Sequence, residues 1–454
     1  MVFMSSVDMS KHFNTAALLR YTAPSMVMMV FTSIYTIVDG FFVSNYAGKT
    51  AFAAVNLIMP FIMILSTAGF MVGTGGGALV AQQRGKKNDE QANRYFSLII
   101  WFALVLGIIC ALVGFFAMEP VARFLGASDE LVPICVLYGQ ISMVSLPMFM
   151  LQFAFQPLFS TAGKPTLGLV ITIISGLTNI VLDFVLVGYL NMGVAGAAWA
   201  TVASEYVGGL VPLIYFLMPN KSFLRLGKTK FDIKVIGKTC ANGSSEMMSN
   251  IAMSVVAIVY NWQLVRLLGE DGVAAYGVIM YVGMIFGAIL MGYVMGSAPL
   301  MSYQHGADNK VEKNSLLRHG LAIMAVGGIC ALIAAQLLAP TVADIFTSYD
   351  EGLKELTIHA FRLYSIAFLL TGFSVFGSSL FTSLGNGVIS AFISFMRTLV
   401  FETGSVILLP LIFGADGIWT SVIVAEIAST TLVSLCVIKY GKYYGLRLTH
   451  GEQA

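Results

Sequence analysis

Charge is what this chain has least of. Only 11% of its 454 residues are Asp, Glu, Lys or Arg, whereas 57% are hydrophobic, a balance far from that of soluble globular domains. A net charge of +2 leaves no basic excess for nucleic acid, so no nucleic-acid partner is expected. Cysteine is scarce as well. The five present have neither metal-ligand nor disulfide-framework spacing and read as small apolar groups. The five histidines (His12, His305, His319, His359 and His450) form no HExxH or other catalytic pattern. No enzyme, cofactor or resident metal is therefore expected. A signal-peptide pattern is missing too: the first fifteen residues are polar and lead straight into a full-length apolar segment.

What the chain does have is long apolar runs. Twelve are read, at about 16–44, 52–82, 95–118, 131–158, 167–190, 194–217, 240–268, 273–302, 316–339, 355–383, 389–413 and 416–438. Each can cross a hydrocarbon core of about 30 Å as a helix, and none shows the short alternating pattern of a membrane strand. The expected fold class is an all-α integral membrane protein with twelve transmembrane helices. With the N-terminus inside, about nineteen basic residues fall on the inner face, from Lys11 to Arg447. Only Lys49, Arg123, Arg266 and Lys354 fall outside. This positive-inside bias places both termini in the cytoplasm.

The chain also repeats with a shift of 221 residues. Gly48 maps to Gly269, Gly85 to Gly306, Asn93 to Asn314, Gly193 to Gly414 and Glu205 to Glu426. Six spans per copy is an even number, so the copies are parallel repeats enclosing a central cavity. The division expected is an N-lobe, 1–217, a lysine-rich cytoplasmic linker, 218–239, and a C-lobe with a cytoplasmic tail, 240–454.

Carboxylates within a bilayer are costly and ask for a reason. Asp39, Asp183, Glu205, Glu402 and Glu426 lie well inside the spans, and Glu246 lies close enough to an inner boundary to be interfacial. Tyr35 precedes Asp39 by four residues and Asn179 precedes Asp183 by four, so each pair shares a helix face. If the first and fifth spans touch, two carboxylates, an amide and a phenol meet in one pocket. Desolvation and mutual repulsion would then favour a proton or a bound Na⁺ over two bare charges, and the pair would titrate as a unit. The alternative is that each Asp is a satisfied structural group. Asp39 and Asp183 break the repeat, falling on Tyr260 and Gly404. Glu205 and Glu426 respect it, which favours a scaffold role over proton relay. Arg397, five residues before Glu402, makes an internal ion pair and a substrate contact equally open for that residue. For the cavity wall the expected residues are Met59, Met63, Gln152, Phe153, Met280, Tyr281, Met284, Met291 and Tyr293. Methionine in particular adapts to varied ligands, although core packing explains it equally well.

Several segments carry a family resemblance along nearly the whole chain. They are GTGGGALVAQQRGKKNDEQAN after the second span, GSAPLMSYQHGADN after the eighth, STAGKP after the fourth, NIVLDFVLVGYLNMGVAGAAWAT across the fifth and sixth, and LPLIFGADGIW entering the twelfth. In this order they resemble the multidrug and toxic compound extrusion (MATE) transporters, and the details are closest to the branch with DinF-type and MepA-type proteins. The resemblance implies two six-helix bundles meeting in a V, in a bacterial inner membrane and as a monomer. It also implies export of bulky, often cationic aromatic drugs in exchange for H⁺ or Na⁺. Its ion site falls on Asp39, Asn179, Asp183 and Thr201, and its bending proline on Pro24. Other branches carry an acidic site in the second lobe, where Tyr260 offers no carboxylate, so one ion site is expected here. The rival reading within transport is a flippase for a lipid-linked precursor, which would be expected to show a basic cavity.

Overall fold

The computed structural model describes residues 7–348 and 350–446, the side chain of Lys49 excepted; Arg447 and His450 lie outside the described residues. Six helices come first: α1 (Thr15–Phe42), α2 (Lys49–Gly85), α3 (Asp89–Phe124), α4 (Leu131–Thr161), α5 (Pro165–Leu182) and α6 (Gly193–Leu217). Wider π-helical stretches, Val43–Ala47 and Asp183–Tyr189, continue α1 and α5.

After residues 218–232 comes α7 (Ile233–Gly306), 74 residues long. Straight, it would measure about 111 Å, far more than one crossing needs. Gly269, at φ 65° and ψ −149°, breaks it into two arms. Then follow α8 (Lys310–Thr347) and a span made of α9 (Glu351–Ser365) and α10 (Phe368–Ser383), bent by 45° between them. The next span joins α11 (Gly387–Phe395), a π-helical stretch Met396–Glu402, α12 (Thr403–Leu408) and α13 (Pro410–Phe413); α14 (Ala415–Tyr444) is the last. Ten helices among the described residues are long and apolar enough to cross a membrane. The bent pair is an eleventh crossing, and counting both arms of α7 gives twelve, as the hydropathy predicts. The linker is shorter than expected, because residues 233–239 already form the first turns of α7. Asp232 caps that helix, its Oδ1 accepting from the backbone N–H groups of Lys234 (3.0 Å) and Val235 (3.3 Å), and the lysines there had concealed the helix start.

The 221-residue repeat reappears in the backbone. Left-handed conformations occur at Gly48 and Gly269, at Lys87 and Asp308, and at Gly193 and Gly414, each pair at that spacing. Positive φ is uncommon for Lys or Asp, so the same tight turn is built twice whatever residue stands there. Asn88 and Asn309, also equivalent, both cap the following helix.

The halves meet through α1 and α2 against α7, and the approach is two-fold symmetric. Gly85 lies against Tyr303, and its equivalent Gly306 lies against Gln82, the equivalent of Tyr303. Gly75 faces Gly243, and its equivalent Gly296 faces Thr22, the equivalent of Gly243. A Cβ at Gly75, Gly85, Gly243 or Gly306 would collide with backbone of the other half, so glycine permits the contact. All of these lie toward the face with most basic residues. There Gln82 Nε2 also donates to Ser383 O (2.9 Å), Gln304 Nε2 to Met9 O (2.8 Å) and the Phe13 amide to Glu312 Oε1 (2.9 Å). Toward the opposite face, Gly277 and Gly287 would meet nothing within 4 Å, and Met63, Tyr281 and Met284 are exposed. The halves are shut at the basic face and parted at the other.

Candidate functional site

In the first half, α1, α4, α5 and α6 converge on a pocket of carboxylates. Asp39 on α1 lies within hydrogen-bonding reach of Asp183 and Asn179 on α5. The approach of α1 to α5 is made at Gly176, where a Cβ would fall 2.6 Å from the Phe31 ring and 2.9 Å from the Tyr35 ring. The one-turn spacing from Asn179 to Asp183 puts both side chains on the face that meets α1, and the π-helical stretch opens at Asp183 itself. Such widened turns recur at functional sites.

Asp183 is fully buried and Asn179 is 2% exposed. Both Asp183 carboxylate oxygens, Asp39 Oδ1 and Asn179 Oδ1 have no hydrogen-bond donor. Native interiors seldom leave buried acceptors unsatisfied, because each costs about 1–3 kcal/mol and more if charged. Four in one pocket call for a proton shared between the carboxylates or a cation held by their oxygens. Around this centre Tyr35 reaches Gln152, Thr201 reaches Tyr138, and Glu205 reaches Ser145. Helix periodicity pointed to the first and fifth spans but missed Tyr138 and Ser145. Both belong to α4, whose polar residues are dispersed in a long apolar run without a one-face pattern.

The second half contains charge as well, of a different kind. Arg397 donates to Glu426 Oε1 through Nη2 at 2.7 Å and Nε at 3.1 Å, and Ser374 Oγ donates to Glu426 Oε2 at 2.5 Å. Of the two readings left open for Glu402, the ion pair with Arg397 on its own helix is not formed; Arg397 pairs with α14 instead. From a π-helical stretch Arg397 reaches the facing helix, and two of its N–H groups donate to one carboxylate oxygen in charge-assisted bonds. Position 397 is the repeat equivalent of Gly176. Where the first half leaves room for Tyr35, the second inserts a fixed cation. Tyr260, at the place of Asp39, is 1% exposed, hydrogen-bonds Ser421 at 2.8 Å and stacks on Tyr276 with centroids 4.8 Å apart. Breaking a buried ion pair by removing one partner typically costs about 3–5 kcal/mol. Arg397→Met or Glu426→Gln is therefore expected to lower the thermal unfolding midpoint of purified protein clearly, and the double substitution should recover part of the loss.

The expected cavity residues separate into groups. Met63, Tyr281 and Met284 are exposed, and Met59, Phe153, Met280 and Met291 are half-buried. Gln152 (6%) and Tyr293 (1%) are buried: Gln152 crowds Gly208, and Tyr293 lies tilted beside Phe376 and lines a small cavity. Pro24 lies half-buried inside α1.

The chain is similar to known proteins in both sequence and shape. It is 24% identical to the multidrug export protein MepA of Staphylococcus saprophyticus over 416 residues, 90% of each chain. With the MepA of a Staphylococcus aureus strain it shares 23% over 424 residues, covering 93% of this chain and 91% of the relative. A crystal structure of MATE in complex with MaL6 superposes with a TM-score of 0.90 at 22% identity, covering 95% of this chain and 97% of that one. An outward-facing multidrug resistance MATE transporter of the MOP superfamily gives 0.89 at 22% identity, covering 95% and 96%. The sequence model of the MatE family matches twice, at residues 24–185 and 247–404, once in each half of the repeat. The chain belongs to the MatE family.

Proposed function

We propose that this protein is a secondary active exporter of chemically varied drugs, many of them organic cations. It exchanges them for H⁺ or Na⁺ by alternating access of its two halves across a bacterial inner membrane, with both termini cytoplasmic. The observation that carries the coupling is the set of donor-less buried oxygens on Asp39, Asn179 and Asp183. Other buried polar atoms lack partners too, but here four of them, three on carboxylates, gather in one pocket, as a site that gains and loses a positive charge requires. With the basic face taken as cytoplasmic, the halves are shut inward and open outward, which is the state that takes up the ion. Entry of a proton or Na⁺ joins α1 to α5, and its release toward the cytoplasm returns the cycle. One charge moving through about 100 mV supplies about 2.3 kcal/mol, roughly a fifty-fold gradient of a neutral solute. Ethidium efflux from cells, with pH and Na⁺ gradients varied separately in proteoliposomes, tests the reading and identifies the ion. Efflux indifferent to both gradients would sink it.

Pro24 enters as a hinge. Lacking an amide N–H, it leaves the Arg20 carbonyl without its intrahelical partner and lets α1 bend below Asp39. Pro24→Ala restores the bond and stiffens the helix. The expected result is a several-fold slower efflux at unchanged membrane abundance, read in the same dye assay.

A further inference from the structure

Where α2, α4, α7 and α10 meet at the seam between the halves there is a cavity. Its lining includes Phe70, Pro157, Met291 and Met295, and one ionisable side chain, Glu246. The sequence places Glu246 near a membrane boundary. It stands about 20 Å along α7 from Ile233, at the seam with α2 of the other half. Three observations single it out. First, its carboxylate has no ion pair or side-chain hydrogen bond among the described residues, a state it shares with Glu402, although Glu426, Glu312 and Glu205 all have partners. Second, Ser302, whose hydroxyl is fully buried and has no hydrogen-bond partner, lines the same cavity. Third, Glu246 breaks the 221-residue repeat. Its equivalent is Ser25, a buried residue whose hydroxyl lies 3.2 Å from that of Ser160. The first half thus fills this seam position with a small satisfied group, and the second fills it with an unpaired acid.

A lone carboxylate among Met, Phe and Pro side chains is complementary to a positive charge carried on an apolar body. The apolar wall supplies area, and the acid supplies the counter-charge that those side chains lack. In the present conformation the cavity has room for only a few water molecules. Because its walls come from both halves, parting them at the basic face widens it and wets the acid. We propose that Glu246 is the group that recognises the cationic centre of an amphiphilic organic cation when the seam opens toward the cytoplasm. It is distinct from the ion pocket of Asp39 and Asp183, and its side chain selects compounds by charge rather than driving the exchange.

This inference rests on the export reading, and the test separates the two. Equilibrium binding of tetraphenylphosphonium, a permanent cation, and of neutral triphenylphosphine oxide is measured on purified wild-type, Glu246→Gln and Glu246→Asp proteins. The expected outcome is that Gln weakens tetraphenylphosphonium at least about tenfold, as loss of a Coulombic partner in a partly desolvated site does. It leaves the neutral compound within about twofold, and Asp keeps most of the cation affinity. Equal losses for both compounds, or unchanged cation binding in the Gln variant, would overturn the assignment while leaving export intact. A wild-type protein that binds neither compound overturns the export reading together with it. Thermal unfolding of each variant guards against a folding defect, and an Asp variant that folds but binds as poorly as Gln also counts against the proposal.

Discussion

Asp183→Asn is expected to reduce ethidium efflux and drug resistance to the level of cells lacking the transporter, with no loss of protein from the membrane. The substitution keeps side-chain volume and removes only the ability to take up and release charge. Asp183 is the residue with the largest deficit, two buried oxygens with no donor. In the Asn variant the amide donates to Asp39, which offsets part of the deficit and leaves one carboxylate where the proposed exchange uses two. Uphill export of ethidium then stops, because nothing links the inward movement of H⁺ or Na⁺ to the outward movement of the drug.

The same reasoning fixes the direction of a second readout. Because a costly set of unpaired acceptors is partly relieved, the Asn variant is expected to be at least as resistant to thermal unfolding as the wild type. Buried charge sites commonly trade stability for function in this way. Loss of efflux with stability kept or raised is the signature of a coupling residue. A variant that exports at the full rate removes Asp183 from the mechanism, and one that fails to fold makes it structural.

The fold was legible because the bilayer allows so few solutions. With backbone groups unable to bond water, an apolar run of sufficient length becomes a helix, and the twelve runs became twelve crossings. The turn at Gly269 was readable too, as the repeat partner of Gly48. The carboxylate pocket was legible in part. One-turn spacings exposed Tyr35 with Asp39 and Asn179 with Asp183, because periodicity records which residues share a face of one helix. It does not record which helix lies opposite. Tyr138 and Ser145 were hidden for that reason. The partner of Arg397 stayed open for the same reason: local spacing offers Glu402, and packing supplies Glu426. Glu246 reads from the sequence only as an interfacial acid, because spacing along one helix does not show that α2 of the other half closes a cavity over it.

The seam itself makes the other large prediction. Gly243→Val should abolish transport by preventing closure toward the cytoplasm. At this position α7 lies on α2 so closely that any Cβ overlaps the Met71 carbonyl oxygen, with the Gly75 amide nitrogen 3.1 Å away. Both obstacles are backbone, which cannot rotate aside as a side chain does, so the helices must part. Parting them also breaks the bond from Asn242 Nδ2 to Gly75 O at 3.3 Å. The state open toward the cytoplasm has these helices apart already and tolerates the new methyl groups. The variant is therefore trapped there rather than unfolded. Cys240, three residues away on α7 and half-buried here, reports the change in a background with the other four cysteines replaced. A membrane-impermeant maleimide supplied from the cytoplasmic side is expected to label it several-fold faster in the variant. Gly237→Ala is the matched control, since a Cβ there would meet nothing within 4 Å, and Ala gains about 0.5–1 kcal/mol over Gly in a helix interior. Wild-type efflux from Gly243→Val, or labelling no faster than in the control, would show that the halves rock about some other contact.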